Sequence, residues 1–148
     1  MAAVPLHYVD LRTFCYATED DERVEAALRT FLPEGVSIER AVSEGHHGDR
    51  ILVLSARVER TDEMRHVLDR VAELDDLGTV VDELDDRVDD NCAVYLTLDK
   101  QAAFDGEVRC GDGITLRSKI AAYPAKREKA VANVRELFDD LSDSGQVS

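Results

Sequence analysis

Several residue types that mark particular classes of protein are scarce or absent in this chain. Tryptophan is missing, and only three prolines and three cysteines occur among 148 residues. The cysteines, Cys15, Cys92 and Cys110, are far apart and form no C-x-x-C pair, which argues against a disulfide framework and against a zinc ribbon. We expect all three to be reduced, with two of them in strands.

Long apolar runs are also absent. No stretch approaches the roughly 20 apolar residues that cross a bilayer, and the first five residues lack the basic region of a secretory signal. We therefore expect a cytoplasmic protein. The length suits one domain, and no repeat, linker or low-complexity segment divides it. The sequence predicts a single domain over residues 1–141 and a flexible polar tail over residues 142–148.

Familiar catalytic signatures are missing as well. The chain has no nucleophile elbow, P-loop, dinucleotide fingerprint or H-E-x-x-H pattern. We predict a non-catalytic protein with no cofactor and no metal. The least favoured alternative is a metal-dependent hydrolase that uses His46, His47, Asp49 and Asp99. Adjacent histidines in one hairpin do not readily face the same ion, and no third histidine or cysteine nearby completes a tetrahedral site.

Lysine is the rarest charged residue. The chain has 32 acidic and 18 basic residues, of which only four are lysines, and its formal net charge is −14. Carboxylates bind water strongly and keep a surface soluble when salt shortens the screening length to about 3 Å at 1 M. This composition is typical of a halophilic protein, so we expect much of the negative charge to serve solvation.

The sign of the charge reverses along the chain. Residues 61–90 contain twelve acidic residues and three arginines, whereas residues 109–135 contain seven basic and two acidic residues. A basic segment within so acidic a chain predicts an anion-binding face, and RNA is the anion that we favour. The alternative is that these cations pair internally with the acidic segment, and charge composition favours neither.

Apolar periodicity predicts alternating strands and helices. Strands are expected over residues 6–17, 36–43, 50–60, 92–98 and 114–123. Helices are expected after Thr18, after Thr61 and from Pro124, and a short turn or helix over residues 99–105. Thr18 and Thr61 are the expected N-caps, and Gly78 is expected to interrupt the second helix. The order β-α-β-β-α-β-β-α predicts an α+β fold, a two-layer sandwich with helices on one face of a largely antiparallel sheet.

The last predicted strand carries the basic residues of the proposed RNA face. Its apolar residues alternate with Arg117 and Lys119, which lie side by side on the uncovered side with Tyr123 at the end. Single strands and loops of RNA use such cations and rings for phosphate contact and stacking. Lys126 and Arg127 follow at the start of a helix, where cations oppose the helix dipole and so suggest an external anion.

Four short motifs resemble a known family. In chain order they are Ala17-Thr18-Glu19-Asp20, Gly45-His46-His47-Gly48-Asp49, Arg87-Val88-Asp89-Asp90, and Leu98-Asp99-Lys100-Gln101 followed by Gly106. Together they resemble the archaeal RNA-binding protein family described as a predicted exosome subunit, whose fold is similar to that of a large-subunit ribosomal protein. The resemblance spans residues 6–125.

The resemblance implies an accessory factor of RNA processing or of the exosome. Lys100, Gln101, His46 and His47 join the predicted RNA contacts, although the histidine loop is first of all a structural turn and the lysine motif equally a turn-fixing one. Thr97 departs from the family pattern, which often has a basic residue there, and this removes one phosphate contact. A protein-interaction or dimerisation module that uses the acidic helical segment 75–90 stays open, and so does a homodimer.

Overall fold

The computed structural model describes residues 4–44 and 48–146, the last five through their backbone alone. Within these residues the chain forms five strands and six helices. The strands are β1 (Leu6–Tyr16), β2 (Glu39–Glu44), β3 (Arg50–Val58), β4 (Ala93–Asp99) and β5 (Gly113–Ile120). The helices are α1 (Asp21–Arg29), α2 (Thr61–Val71), α3 (Leu77–Asp82), α4 (Leu84–Arg87), α5 (Lys100–Phe104) and α6 (Arg127–Gln146).

The strands form one antiparallel sheet in the order β2-β3-β1-β5-β4, so β1 lies in the middle. Burial alternates along β1, with Val9, Leu11 and Cys15 buried and the residues between them more exposed. The same alternation holds in β3 and β5. These three strands therefore place their buried residues on one side of the sheet, where the helices cover them. The predicted α+β two-layer sandwich is confirmed.

The helix starts differ from those expected. Asp20, not Thr18, is the N-cap of α1, and its carboxylate accepts a hydrogen bond from the Glu22 N–H at 3.0 Å. Thr18 lies in the turn that the Glu19 N–H closes onto the Tyr16 carbonyl at 2.9 Å, so it precedes the cap. Thr61 is the first residue of α2 and makes no cap hydrogen bond. Both predicted caps were therefore wrong.

Other element boundaries also differ from the sequence prediction, among them the start of β2, which is Glu39 where residue 36 was expected. The break in the acidic helical segment comes after Val71, and Gly78 lies within α3. β5 ends at Ile120, so Tyr123 lies outside the strand to which it was assigned. α6 continues to Gln146, because apolar residues as far as Leu141 pack against the core and the helix extends one turn past them.

The connection between β4 and β5 brings two backbone segments into close contact. The Lys100 N–H donates to the Asp112 carbonyl at 3.0 Å, and the Asp99 N–H donates to the Arg109 carbonyl at 2.8 Å. A Cβ on Gly113 would lie 2.5 Å from the Cβ of Lys100, and Gly113 has a φ of +117°. Only glycine fits this position without displacing the start of α5.

Gly113→Ala should therefore lower the free energy of unfolding by about 2 kcal/mol or more, because the new methyl group clashes and the backbone is strained. Gly78→Ala is the matched control, since Gly78 is helical and a methyl group added there would have nothing within 4 Å. It should leave stability unchanged or raise it by up to about 1 kcal/mol. Urea unfolding measures both, and equal stability of the two variants would contradict the close contact.

Candidate nucleic-acid interface

The side of the sheet opposite the helices is left uncovered. We call the outward side chains of four strands on this side the open face. They are Tyr8, Asp10, Arg12, Phe14 and Tyr16 on β1, Ile51, Val53, Ser55 and Arg57 on β3, Thr115, Arg117 and Lys119 on β5, and Tyr95 and Thr97 on β4.

Aromatic rings are concentrated on the open face. The whole chain has four tyrosines and four phenylalanines, and Tyr8, Phe14, Tyr16 and Tyr95 all lie here. Phe14 is 39% exposed, Tyr16 51% and Tyr95 36%. Large exposed rings are costly in water unless a ligand or partner covers them, and unpaired nucleobases stack on such rings.

A row of four residues crosses the sheet in register. Tyr95, Arg117, Asp10 and Arg57 lie directly opposite one another on β4, β5, β1 and β3. Arg57 makes a two-point ion pair with Asp10, with Nε to Oδ1 at 2.6 Å and a terminal nitrogen to Oδ2 at 2.8 Å. The Arg57 guanidinium also lies 3.9 Å from the centre of the Tyr8 ring. These contacts fix its plane and orientation.

Arg117 is held by hydroxyl groups. It donates to the Tyr8 hydroxyl at 2.6 Å and to the Tyr95 hydroxyl at 3.0 Å. The hydrogen bond to Tyr95 is the main cause that raises the pKa of Arg117 above its ordinary value. Within the described residues Arg117 forms no ion pair. It is therefore an oriented cation whose charge is not neutralised by a carboxylate.

Asp89 supports this end of the row from the segment before β4. Burial works to raise the pKa of Asp89, but hydrogen bonds from the Ala93 and Asn91 N–H groups and from Tyr95, together with the charge of Arg117, lower it overall. Its carboxylate accepts from these two N–H groups at 3.0 and 2.9 Å. The ionised carboxylate holds the start of β4 and, through it, Tyr95.

Arg12 lies at the centre of the open face. Thr115 of β5 stands opposite it on one side and Ser55 of β3 on the other. Arg12 is exposed, and no hydrogen bond, ion pair or ring contact joins it to another described residue. A concavity of about 900 Å³ is lined by Arg12 together with Asp10, Arg57, Tyr95 and Arg117, and Glu39 and Glu63 also line it. Arg12 thus offers a guanidinium without a described partner in a concavity that is lined by two other arginines, one tyrosine and three acidic residues.

The basic segment of residues 109–135 is divided between two roles. Arg127 donates from Nε to the Val88 carbonyl at 3.1 Å and also donates to the Asp85 carbonyl. Arg135 lies 3.7 Å from the Asp85 carboxylate. These two arginines pair internally with the acidic helices, which was the alternative explanation of the charge pattern. Lys119 belongs to the open face, where it donates to the Asn91 carbonyl.

The remaining predicted contacts are not among the residues that make up the open face. Tyr123 is 94% exposed, and Lys126 and Gln101 are exposed as well. His46 and His47 lie outside the described residues. The RNA contacts of these five residues stay predictions.

Lys100 lies inside the protein. It is 7% exposed, and its ammonium donates to Glu19 Oε1 at 2.9 Å and to the Phe14 carbonyl at 3.0 Å. Next to it, Asp99 caps α5 by accepting from the Gln101 N–H at 2.8 Å. The Asp99-Lys100-Gln101 motif therefore fixes a turn and ties it to β1, which leaves the Lys100 ammonium committed to internal partners.

Sequence reasoning did not assign Tyr8, Arg12, Arg57 and Tyr95 to a site. Alternation along β1 does place Tyr8 and Arg12 on one side together with Phe14 and Tyr16. This row of rings and one cation along β1 was the sequence pattern that could have indicated the site. Arg57 and Tyr95 join it only through the pairing of the strands, which the sequence pattern does not specify.

Two further kinds of feature do not occur in the part of the chain that the structure describes. No helix there has the length and apolar character needed to cross a membrane. No group of three or more histidine, cysteine, aspartate or glutamate side chains among residues 4–44 and 48–146 could hold a metal ion.

Comparison with known proteins identifies relatives along most of the chain. The model of a family described as RNA binding matches residues 8–120. A protein of Pyrococcus abyssi named as an RNA-binding protein is 36% identical over 144 residues, which cover 90% of this chain and 94% of the relative. Both descriptions concern RNA binding, and neither describes an enzyme.

Solved structures of similar proteins share the fold. A protein of Methanothermobacter thermautotrophicus described as a DUF54 protein is 41% identical, with a TM-score of 0.75, and 90% of this chain and 98% of that chain are covered. A DUF54 protein of Archaeoglobus fulgidus is 28% identical with a TM-score of 0.81, covering 89% of this chain and 99% of that one.

The ion pair between Lys100 and Glu19 generates a prediction on stability. Burial works to raise the pKa of Glu19, but the hydrogen bonds from Lys100 and from the Tyr16 N–H and the charge of Lys100 lower it overall. Lys100→Met leaves the carboxylate without its partner and should lower the free energy of unfolding at pH 7 by about 2 to 3 kcal/mol.

The pH dependence has a defined sign. A lowered Glu19 pKa contributes stability above the ordinary glutamate pKa of 4.5 that is lost as the pH falls through the folded-state pKa. The difference in the free energy of unfolding between wild type and Lys100→Met should therefore shrink as the pH falls below the ordinary glutamate pKa. Lys129→Met, at an exposed position, should stay within about 0.5 kcal/mol of wild type. Thermal unfolding at several pH values measures all three proteins, and a constant difference would contradict the role of Glu19.

Proposed function

This chain belongs to the family described as RNA binding, and we propose that it binds single-stranded RNA on the open face without catalysing a reaction. The observation that carries the proposal is the composition of this one surface. It gathers four aromatic rings and three guanidinium groups in a chain whose net charge is −14 and whose aromatic content is 5%. Stacking on rings and contact of guanidinium groups with phosphate are how proteins hold single strands.

The roles follow from how each group is held. Phe14 and Tyr16 are exposed and offer flat surfaces for bases, and Tyr95 does the same at the edge of the concavity. Arg12 has no partner among the described residues and reaches a phosphate without losing an existing contact. Arg117 is oriented in advance by two hydroxyls, so little side-chain entropy is lost when it binds an anion.

Unpaired RNA suits this surface better than a duplex. The bases of a double helix are stacked on one another, so their faces are not accessible to protein rings. The open face has no protruding helix or long loop among its own residues that would enter a groove. The rings therefore favour a single strand or an unpaired loop.

The RNA contacts predicted from sequence fall into residues of the proposed surface and residues that bind internal partners. Arg117 and Lys119 belong to the proposed surface, and Tyr123 and Lys126 extend it beyond the end of β5. Gln101, His46 and His47 remain proposed RNA contacts. Lys100 and Arg127 act through the fold, since both have internal partners.

The wider role proposed here is that of an accessory factor. A chain that binds RNA and has no catalytic signature of its own would present RNA to an enzyme that processes it. The sequence resemblance names the exosome as the candidate assembly. The name of the Pyrococcus abyssi relative supports the RNA-binding step.

Arg12→Glu should weaken binding of a single-stranded RNA by about thirtyfold, because it removes a phosphate contact and places a carboxylate within the concavity. Fluorescence anisotropy with a labelled, unstructured RNA measures the dissociation constant. Lys129→Glu is the matched control, since it makes the same change in charge on the helical layer. It should alter the dissociation constant less than about threefold.

Two measurements sharpen this test. Thermal unfolding should show that Arg12→Glu folds like wild type, because the residue is exposed and makes no described contact. A duplex of the same sequence should bind more weakly than the single strand. Equal effects of Arg12→Glu and Lys129→Glu would indicate non-specific charge attraction and would contradict the proposed surface.

Salt dependence should be shallow. Arg57 is neutralised by Asp10, Lys119 is bonded to a carbonyl, and Thr97 stands where the family often has a basic residue, so few cations are free for phosphates. With about two contacts at roughly −0.7 each, the logarithm of the association constant should fall with the logarithm of salt concentration with a slope of about −1 to −2. Titrations between low salt and 1 M measure it. A slope steeper than about −3 would show that phosphate neutralisation dominates and stacking does not.

A further inference from the structure

The outer edge of β2 is exposed throughout. All six of its residues are exposed, whereas each of the other strands has buried residues. β2 pairs with β3 on one side and is the last strand on that side of the sheet. Val42 is 64% exposed on the side of the sheet that carries the helices, so no helix covers this part of the strand.

β2 lacks several of the features that protect an edge strand, although three of its six residues are charged. It contains no proline and no lysine, and its pairing with β3 is regular over six consecutive residue pairs, without a bulge. Unpaired backbone N–H and C=O groups along such an edge form hydrogen bonds with another strand. The residues of β2 then decide which strand fits.

We propose that β2 pairs antiparallel with β2 of a second copy of this chain, about a two-fold axis at Val42. In this register Arg40 stands opposite the partner's Glu44, and Val42 stands opposite the partner's Val42. The symmetry repeats the Arg40 to Glu44 pair, so two opposite-charge pairs flank one apolar pair. Opposite charges placed directly across an antiparallel pair are favourable.

Neighbouring registers lack this match. An axis at Ser43 would place Glu44 opposite the partner's Val42 and would leave fewer residues of β2 paired, with no pair of opposite charges. An axis at Ala41 would form as many residue pairs as the Val42 register, but it would place Arg40 opposite the partner's Val42 and would pair no charged residue with an opposite charge. The Val42 register is therefore the favoured one.

Charged residues next to Arg40 and Glu44 within each subunit continue the alternation of positive and negative side chains. Glu44 stands opposite Arg50 of β3 within its own subunit, and the partner's Arg40 would approach it from the other side. Arg40 is bonded to Glu25 of α1 at 3.0 Å, and this acidic contact raises the pKa of Arg40 above its ordinary value. Across the junction, positive and negative side chains would alternate.

The pairing places the helices of both copies on the same side of a continuous ten-stranded sheet. Val53 of β3 lies opposite Ala41 on one side and Phe14 on the other. Phe14, an exposed ring of the open face, therefore lies on the second strand in from β2, the strand at the junction, in each copy. The dimer itself requires no RNA, so its test is independent of the proposed function.

Cross-linking tests the register directly. Val42→Cys would place two thiols opposite each other, at the short separation of directly paired residues that a disulfide requires. A mild oxidant should convert most of this variant to a covalent dimer in the absence of RNA. Ser43→Cys is the matched control, because its thiol would face the partner's Ala41 and should not cross-link. The wild-type chain controls for its own three cysteines.

A charge exchange tests the pairing of Arg40 with Glu44. Light scattering after gel filtration should give twice the chain mass of 16.5 kDa at high protein concentration. Glu44→Arg should raise the dissociation constant of the dimer by about tenfold or more, and Arg40→Glu combined with Glu44→Arg should restore it. Circular dichroism checks that each variant folds. A monomer at every concentration, a dimer indifferent to Glu44→Arg, or equal cross-linking at positions 42 and 43 would overturn the proposal.

Discussion

The central position of β1 is the constraint on which the rest of the molecule depends. Its neighbours on both sides are antiparallel strands, so its middle residues, Val9 to Thr13, are fixed in register with both β3 and β5. Leu11 and its buried neighbours face the helices, and the alternate residues face outward. Arg12 and Tyr8 can lie among the cations and rings of three other strands only because β1 is flanked on both sides.

The sheet also separates the two signs of charge. The acidic residues of α2, α3 and α4 lie mainly on the helical layer, where Arg127 and Arg135 contact the residues of α4 and the segment after it. The open face keeps guanidinium groups, and Asp10 balances one of them. A strongly acidic protein can present a cationic surface because a layer of apolar side chains lies between the two populations.

Local pattern was enough for the alternation of strands and helices and for the α+β sandwich. Prediction from local pattern failed for side chains whose bonding partners are far away in the sequence. Lys100 looked like a surface lysine because sequence does not show that Glu19 and the Phe14 carbonyl meet it. Arg127 looked like an anion contact because the carbonyls that it binds belong to a distant segment of the chain. The open face was visible on β1, but its width depends on strand order, which one sequence does not specify.

The distribution of tyrosine gives the protein a built-in optical signal. The chain has no tryptophan and four tyrosines, so its ultraviolet emission comes from tyrosine alone. Three of these rings, Tyr8, Tyr16 and Tyr95, are on the open face, while the phenylalanines outside it are in or against the core. Emission near 300 nm therefore comes mostly from this surface, with exposed Tyr123 as the one contribution from outside it, and a base that stacks on the open face would quench the larger part.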